Sequence, residues 1–134
     1  MKSLDQLRQE IRSVLASWPN VELVWIYGSY AMGRARPESD IDIAVAGRAP
    51  LTIEERIEVA QTLERTLGLE VDLVDLTQER GVIASQVLTG GRLIYSKSSV
   101  RLAALIKRLW FDRADVWPTR DRIFRKIRRK AFGS

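Results

Sequence analysis

A run of seven residues, Val21 to Tyr27, restricts the possible folds of this chain more than any other segment. The run is made up almost entirely of β-branched, aromatic and other apolar residues, and it stops at Gly28 and Ser29. This pattern is typical of a buried strand followed by a tight turn. A buried strand needs a sheet and covering layers around it, so the neighbouring segments decide the fold class.

Those neighbouring segments alternate between helical and strand periodicity. Capping-box spacing at Ser3 and Gln6, and again at Thr52 and Glu55, marks the start of two helices. Helices are predicted over residues 3–17, 52–67, 79–89, 99–113 and 119–131, and strands over residues 21–27, 40–46, 69–76 and 93–95. This order predicts a small α/β (α+β) domain, in which a mixed sheet of about four strands is backed by helices and followed by C-terminal helices.

Charged residues are distributed unevenly along the chain. Residues 1–100 contain 11 basic and 14 acidic side chains, whereas residues 101–134 contain 11 basic and three acidic ones. We expect a domain over residues 1–98 and a basic helical extension over residues 99–134 that packs on the domain or extends from it. The tail over residues 119–134 is expected to be an ordinary terminal helix or a docking element for an acidic partner protein. Direct RNA contact is the least favoured role, because the tail lacks interleaved aromatic residues.

Two residue types that dominate enzyme active sites are missing. The sequence contains no cysteine and no histidine. Thiol nucleophiles, Ser-His-Asp triads and Cys- or His-based zinc sites are therefore excluded. Any catalysis must use carboxylates, hydroxyls, backbone amides, Lys or Arg, and a cation that prefers oxygen ligands, such as Mg²⁺.

Nothing in the sequence indicates a membrane protein. No segment approaches the roughly 20 consecutive apolar residues of a membrane span. Asp5 and Glu10 do not fit the apolar core of a signal peptide. The protein is expected to be cytoplasmic, with no membrane partner.

The turn after the first strand and the start of the second strand carry the residues with the clearest chemical meaning. Gly28 lets an anion approach the main chain, and Ser29 adds a hydroxyl donor, so the pair can hold a phosphate group. Ten residues later, Asp40 and Asp42 lie two apart on a predicted strand, so both side chains leave the same face. Two such carboxylates repel each other unless a divalent cation lies between them.

A third carboxylate is expected from the next strand. Asp72 lies between the apolar residues Val71 and Leu73, where a charged side chain is expected to point into a site or a gap. Asp75 is the competing candidate, but its odd offset from Asp72 places it on the opposite face of the strand. Asp40, Asp42 and Asp72 together would provide enough oxygen ligands for one or two metal ions.

This combination of Gly28-Ser29, ten intervening residues, Asp40-Ile41-Asp42 and a later carboxylate in Val71-Asp72-Leu73 resembles the nucleotidyltransferases of the DNA polymerase beta superfamily. The short chain looks most like the minimal nucleotidyltransferase (MNT) group, the antitoxin partners of HEPN-domain RNase toxins. The resemblance covers about residues 10–97.

The resemblance implies binding of ATP and two Mg²⁺ ions at the strand ends. Gly28 and Ser29 would bind the β- and γ-phosphates. Asp40 and Asp42 would bind metal, and Asp72 would bind metal or activate the attacking hydroxyl. The implied function is transfer of AMP to a tyrosine of a cognate HEPN toxin, which neutralises the toxin in a hetero-oligomer. The alternatives are a non-catalytic antitoxin that acts by docking, and an adenylyltransferase that modifies a small molecule.

Overall fold

The computed structural model describes residues 1–78 and 81–112, which form four helices and four strands. The strands are β1 (Val21–Tyr27), β2 (Ile41–Gly47), β3 (Val71–Asp75) and β4 (Arg92–Ser96), and the helices are α1 (Leu4–Leu15), α2 (Ile53–Leu67), α3 (Val82–Gly90) and α4 (Ser99–Asp112). The predicted elements over residues 3–113 are all present, with small shifts at their ends. The predicted helix over residues 119–131 lies outside the described residues.

The four strands form one mixed sheet in the order β3-β2-β1-β4. β1 pairs antiparallel with both β2 and β4, whereas β2 and β3 run parallel. All seven residues of β1 are buried, as the apolar run predicts. β1 therefore lies in the interior of the sheet, and the turn that follows it is held at the sheet's end.

Helices cover the sheet on both faces. On one face α1 and α2 pack against side chains such as Val24, Ile26 and Ile43. On the other face α3 and α4 pack against side chains such as Trp25 and Ala44. Because side chains alternate between the two faces of a strand, each residue's position in the strand decides which pair of helices it meets.

Both predicted capping boxes are present. The hydroxyl of Ser3 accepts a hydrogen bond from the Gln6 amide, and the Gln6 side chain accepts one from the Ser3 amide. Thr52 and Glu55 make the same pair of contacts at the start of α2. These contacts satisfy amides that would otherwise lack partners in the first helical turn, and so fix where each helix begins.

Two details of the helices differ from the sequence prediction. The spacing of apolar residues predicts that Ile53 and Ile57 face the core, but their exposures are 74% and 54%. The face of α2 that is buried instead contains Val59, Leu63 and Leu67. In addition, Gly81, which the prediction places inside the third helix, lies just before α3 begins at Val82; residues 79 and 80 lie outside the described part of the chain.

No helix within the described ranges combines the length and the apolar character needed to cross a membrane.

Candidate active site

The turn after β1 is shaped by Gly28, whose φ angle of 70° lies in the left-handed region that favours glycine. The Gly28 carbonyl accepts a hydrogen bond from the Met32 amide at 3.1 Å, and the Ser29 carbonyl accepts one from the Arg34 amide at 2.9 Å. A Cβ atom at Gly28 would overlap Oδ2 of Asp42. The predicted phosphate-binding turn and the predicted metal ligand are therefore in direct contact.

Asp42 and Asp72 are neighbours across the parallel pair of strands, where they occupy the same register position. Alternation along β2 places Asp42 on the same face as Ala44, which packs on the α3 and α4 side. Partial burial raises the pKa of the Asp42 carboxyl, and the charge of Asp72, a hydrogen bond with the Asp72 carboxyl and the charge of Asp40 raise it further. Two ionised carboxylates this close repel each other, and a bound proton or cation would relieve that repulsion.

The sequence predicts that Asp40 lies within the second strand. In the structure it immediately precedes β2 and is exposed, so it lies at the rim of the site. Its charge is still close enough to raise the pKa of Asp42. Among the described side chains, no lysine or arginine forms an ion pair with Asp40, Asp42 or Asp72. A group of carboxylates without cationic partners fits a cation that prefers oxygen ligands.

The described side chains do not by themselves form a closed metal site. Within residues 1–78 and 81–112, no three acidic residues come close enough together to enclose an ion. Asp42 and Asp72 form the close pair, and exposed Asp40 would have to turn towards them. Metal binding by all three carboxylates is therefore a proposal that rests on the chemistry of the cluster.

Asp75, the competing candidate for the third carboxylate, is only 2% exposed and has a structural role. Its two carboxylate oxygens accept hydrogen bonds from the backbone amides of Leu51, at 2.8 Å, and Thr77, at 2.9 Å. These bonds tie the segment before α2 and the segment after β3 to the end of β3. With both oxygens occupied in this way, Asp75 is the poorer candidate for a ligand in the site.

A cavity of about 500 Å³ opens beside the acidic pair. Tyr27, Gly28 and Met32 line one side of it together with Asp42 and Asp72, and α3 forms the facing wall. The α3 residues in that wall are Ile83, Gln86, Thr89 and Gly90. Neither Gln86 nor Thr89 belongs to a motif that is recognisable in the sequence. Their spacing of three along a helix is the only signal that points to them, and it is shared by many surface residues.

Other polar residues near the turn have different environments. Tyr30 is 6% exposed and packs in the core on the α1 and α2 side, where its hydroxyl has no hydrogen-bond partner among the described residues. Arg34 and Arg36 are exposed in the loop that leads to β2. Ser29 is partly buried, next to Gly28.

Comparisons with known proteins agree with the chemistry inferred for the site. The family described as "Polymerase beta, Nucleotidyltransferase" matches residues 9–100. The protein adenylyltransferase MntA of Shewanella oneidensis is 40% identical over 77 residues, which is 58% of this chain and 55% of that protein. The chain thus matches just over half the length of this relative. The protein adenylyltransferase MntA of Thermococcus cleftensis is 34% identical over 60% of this chain and 88% of that protein.

The chain is also similar to chains in solved structures of toxin-antitoxin complexes. A crystal structure of a toxin-antitoxin with AMP-PNP contains a chain that is 31% identical, with a TM-score of 0.64, covering 81% of this chain and 94% of that one. A structure of the tri-AMPylated Shewanella oneidensis HEPN toxin in complex with its MNT antitoxin contains a chain that is 28% identical, with a TM-score of 0.59. That match covers 84% of this chain and 93% of the other.

Proposed function

Because the chain belongs to the polymerase beta nucleotidyltransferase family, we propose that it transfers AMP from ATP to a tyrosine hydroxyl of a HEPN-domain toxin and thereby neutralises the toxin. The observation that carries the chemistry is the close Asp42–Asp72 pair. It lies against the Gly28 turn and at the edge of the 500 Å³ cavity. A phosphate-binding turn, a pair of carboxylates and a cavity are the parts that phosphoryl transfer requires.

Gly28 and Ser29 are proposed to bind the β- and γ-phosphates. The missing side chain at Gly28 makes room for Oδ2 of Asp42 against the turn, and the Ser29 hydroxyl is available as a donor to a phosphate. Asp40, Asp42 and Asp72 would bind Mg²⁺, with two ions proposed. When bound, Mg²⁺ would neutralise charge on the triphosphate and on the leaving group.

The reaction is proposed to be an in-line displacement at the α-phosphorus. The tyrosine oxygen forms a bond to the α-phosphorus as the bond from that phosphorus to the bridging α,β-oxygen breaks, and pyrophosphate leaves. Where Asp72 is not a metal ligand, it is proposed to accept the proton of the attacking hydroxyl.

The partner is proposed from the structural neighbours. One of them is an antitoxin in complex with an AMPylated HEPN toxin, and another is a toxin-antitoxin with AMP-PNP. A hetero-oligomer with a HEPN toxin would bring the acceptor tyrosine to the cavity, whose α3 wall is partly exposed.

A transfer assay tests the proposal. The protein is incubated with Mg²⁺, with ATP labelled on its α-phosphate, and with a purified HEPN-domain protein from the neighbouring reading frame. We expect label on the HEPN protein, at least about 100-fold less label with Asp42→Asn because charge stabilisation is lost, and none when tyrosine is removed from the acceptor. Glu58→Gln, which neutralises an exposed carboxylate on α2, is the matched control and should leave transfer unchanged. Absence of transfer by the wild type, or unchanged transfer by Asp42→Asn, would contradict the proposal.

A further inference from the structure

A second cleft lies at the opposite end of the sheet from the acidic pair. It is formed by the end of β2, the segment after β3 and one side of α4, and three of its lining residues are Arg48, Arg101 and Arg108. Strand residues advance by about 3.3 Å each, so Gly47 in this cleft lies about 17 Å along β2 from Asp42. The cleft is therefore separate from the proposed catalytic site.

The positive charge in the cleft exceeds the negative charge that faces it. Glu22, whose side chain is 12% exposed, is the one carboxylate that pairs with these arginines among the described residues. Its oxygens lie 2.7 Å from Nε of Arg101 and 3.7 Å from Nε of Arg48. Asp75, the other acidic side chain nearby, is used by backbone amides. Amide hydrogen bonds do not cancel the charge of a carboxylate, so three guanidinium groups set against Glu22 and Asp75 leave a local charge of about +1.

Two donors beside the cleft have no acceptor among the described residues. A terminal nitrogen of Arg108 donates to the Leu76 carbonyl at 3.0 Å, but the buried Nε of the same side chain has no partner in the described part of the chain. The Thr77 hydroxyl oxygen accepts a hydrogen bond from the Gly47 amide at 3.1 Å, which leaves its own proton without an acceptor among the described residues. Buried donors normally have hydrogen-bond partners, so Nε of Arg108 and the Thr77 hydroxyl together lack a hydrogen-bond acceptor.

We propose that this cleft binds a single phosphate group, either as free phosphate or as a phosphate monoester. Its volume is about 160 Å³, about a third of that of the cavity beside the acidic pair. The smaller space suits an ion of five heavy atoms better than a nucleoside. The local positive charge favours an anion, and guanidinium groups bind phosphate oxygens through paired hydrogen bonds.

Amide NMR of the full chain tests the site. Inorganic phosphate is titrated in at constant ionic strength, so that screening does not change. We expect saturable shifts at the amides of Gly47 and Thr77. Arg48→Gln should raise the phosphate Kd by about tenfold, the loss expected for one charge-assisted hydrogen bond. Arg48 is mostly exposed, so this variant should fold even if Arg108→Gln, the second variant, does not.

Arg8→Gln is the matched control, because it removes an exposed arginine from α1 on the other face of the sheet. It should leave the Kd unchanged. Phosphoserine and acetate distinguish the ligand sources. Binding of phosphate, with or without binding of phosphoserine, supports the proposal. Three results would overturn it: no saturable shift at Gly47 and Thr77, tighter binding of acetate than of phosphate, or equal weakening by Arg8→Gln and Arg48→Gln.

Discussion

Asp42 combines partial burial with two like-charged neighbours, and each of these raises the pKa of its carboxyl group. An aspartate in an unfolded chain titrates near 3.9. The contribution of a group with a raised folded-state pKa is fully present below that value and is lost as the pH rises through the folded pKa. We therefore expect Asp42→Asn, which keeps the shape and removes the charge, to raise the free energy of unfolding at pH 7. The gain should be about 0.5–1 kcal/mol, because water partly screens the site.

Urea denaturation at several pH values, without divalent cations, measures this effect. The difference in free energy of unfolding between the wild type and Asp42→Asn should shrink towards pH 3, where the side chain at position 42 is neutral in both proteins. Glu58→Gln on the exposed surface of α2 should show no such pH-dependent gain. A variant that is less stable than the wild type at pH 7 would show that the ionised Asp42 stabilises the fold, contrary to the electrostatic argument.

The positions of Asp42 and Asp72 could be predicted from sequence because strand alternation determines which face each side chain leaves, whereas Asp40 lies just before β2 instead of within it. Asp42 is predicted to project from one face of a strand, and the structure places it beside Asp72, which comes from a separate strand. The facing wall of the cavity could not be predicted in this way. Gln86 lies on a helix whose rotation depends on how α3 packs against the sheet, and nothing local in the sequence fixes that rotation.

At the scale of elements, the turn after β1 offers a matched pair of glycines. Gly28 and Gly33 have almost the same φ angle, 70° and 71°. A Cβ at Gly28 would overlap Oδ2 of Asp42, whereas a Cβ at Gly33 would have no atom within 4 Å from any described residue beyond its two chain neighbours. Gly33→Ala should cost about 1–2 kcal/mol for the left-handed backbone alone. Gly28→Ala should cost more, because it adds a steric clash at the site.

A double-mutant cycle isolates the clash from the backbone effect. In an Asp42→Ala background the carboxylate is gone, so Gly28→Ala should then cost about as much as Gly33→Ala, as measured by urea denaturation. Equal costs of the two glycine substitutions in the wild-type background would mean that the Asp42 side chain does not lie against the turn.

The helix α2 shows why its ends were predictable and its rotation was not. The capping box at Thr52 and Glu55 is a local signal and correctly marks where the helix begins. The apolar residues, in contrast, form a stripe about 160° wide when each residue advances by about 100°. The packed face is centred on Leu63, towards the side of the stripe that includes Val59, which leaves Ile57 on the exposed side.

At the scale of the whole molecule, two regions of opposite charge lie at opposite ends of the sheet. The acidic cluster of Asp40, Asp42 and Asp72 lies where β1 ends and β2 begins, and the arginine cleft lies where β2 ends. The family and the fold class are confirmed. The sequence was sufficient for both because the turn at Gly28 lies close along the chain to Asp40 and Asp42. The arginine cleft depends on Arg48 and Arg108, which are sixty residues apart and meet only through the packing of α4.

The proposed function makes catalysis, rather than docking alone, responsible for neutralising the toxin. When the protein is co-expressed with its HEPN toxin, Asp42→Asn should still bind the toxin but fail to restore growth. Asp42 lies inside the site, so the rest of the surface is unchanged, and the variant is expected to be at least as stable as the wild type. Loss of protection would therefore not reflect unfolding. Growth measures protection, co-purification measures binding, and Glu58→Gln should preserve both. If Asp42→Asn protects cells as well as the wild type does, the protein neutralises its partner by docking, and AMP transfer is not required.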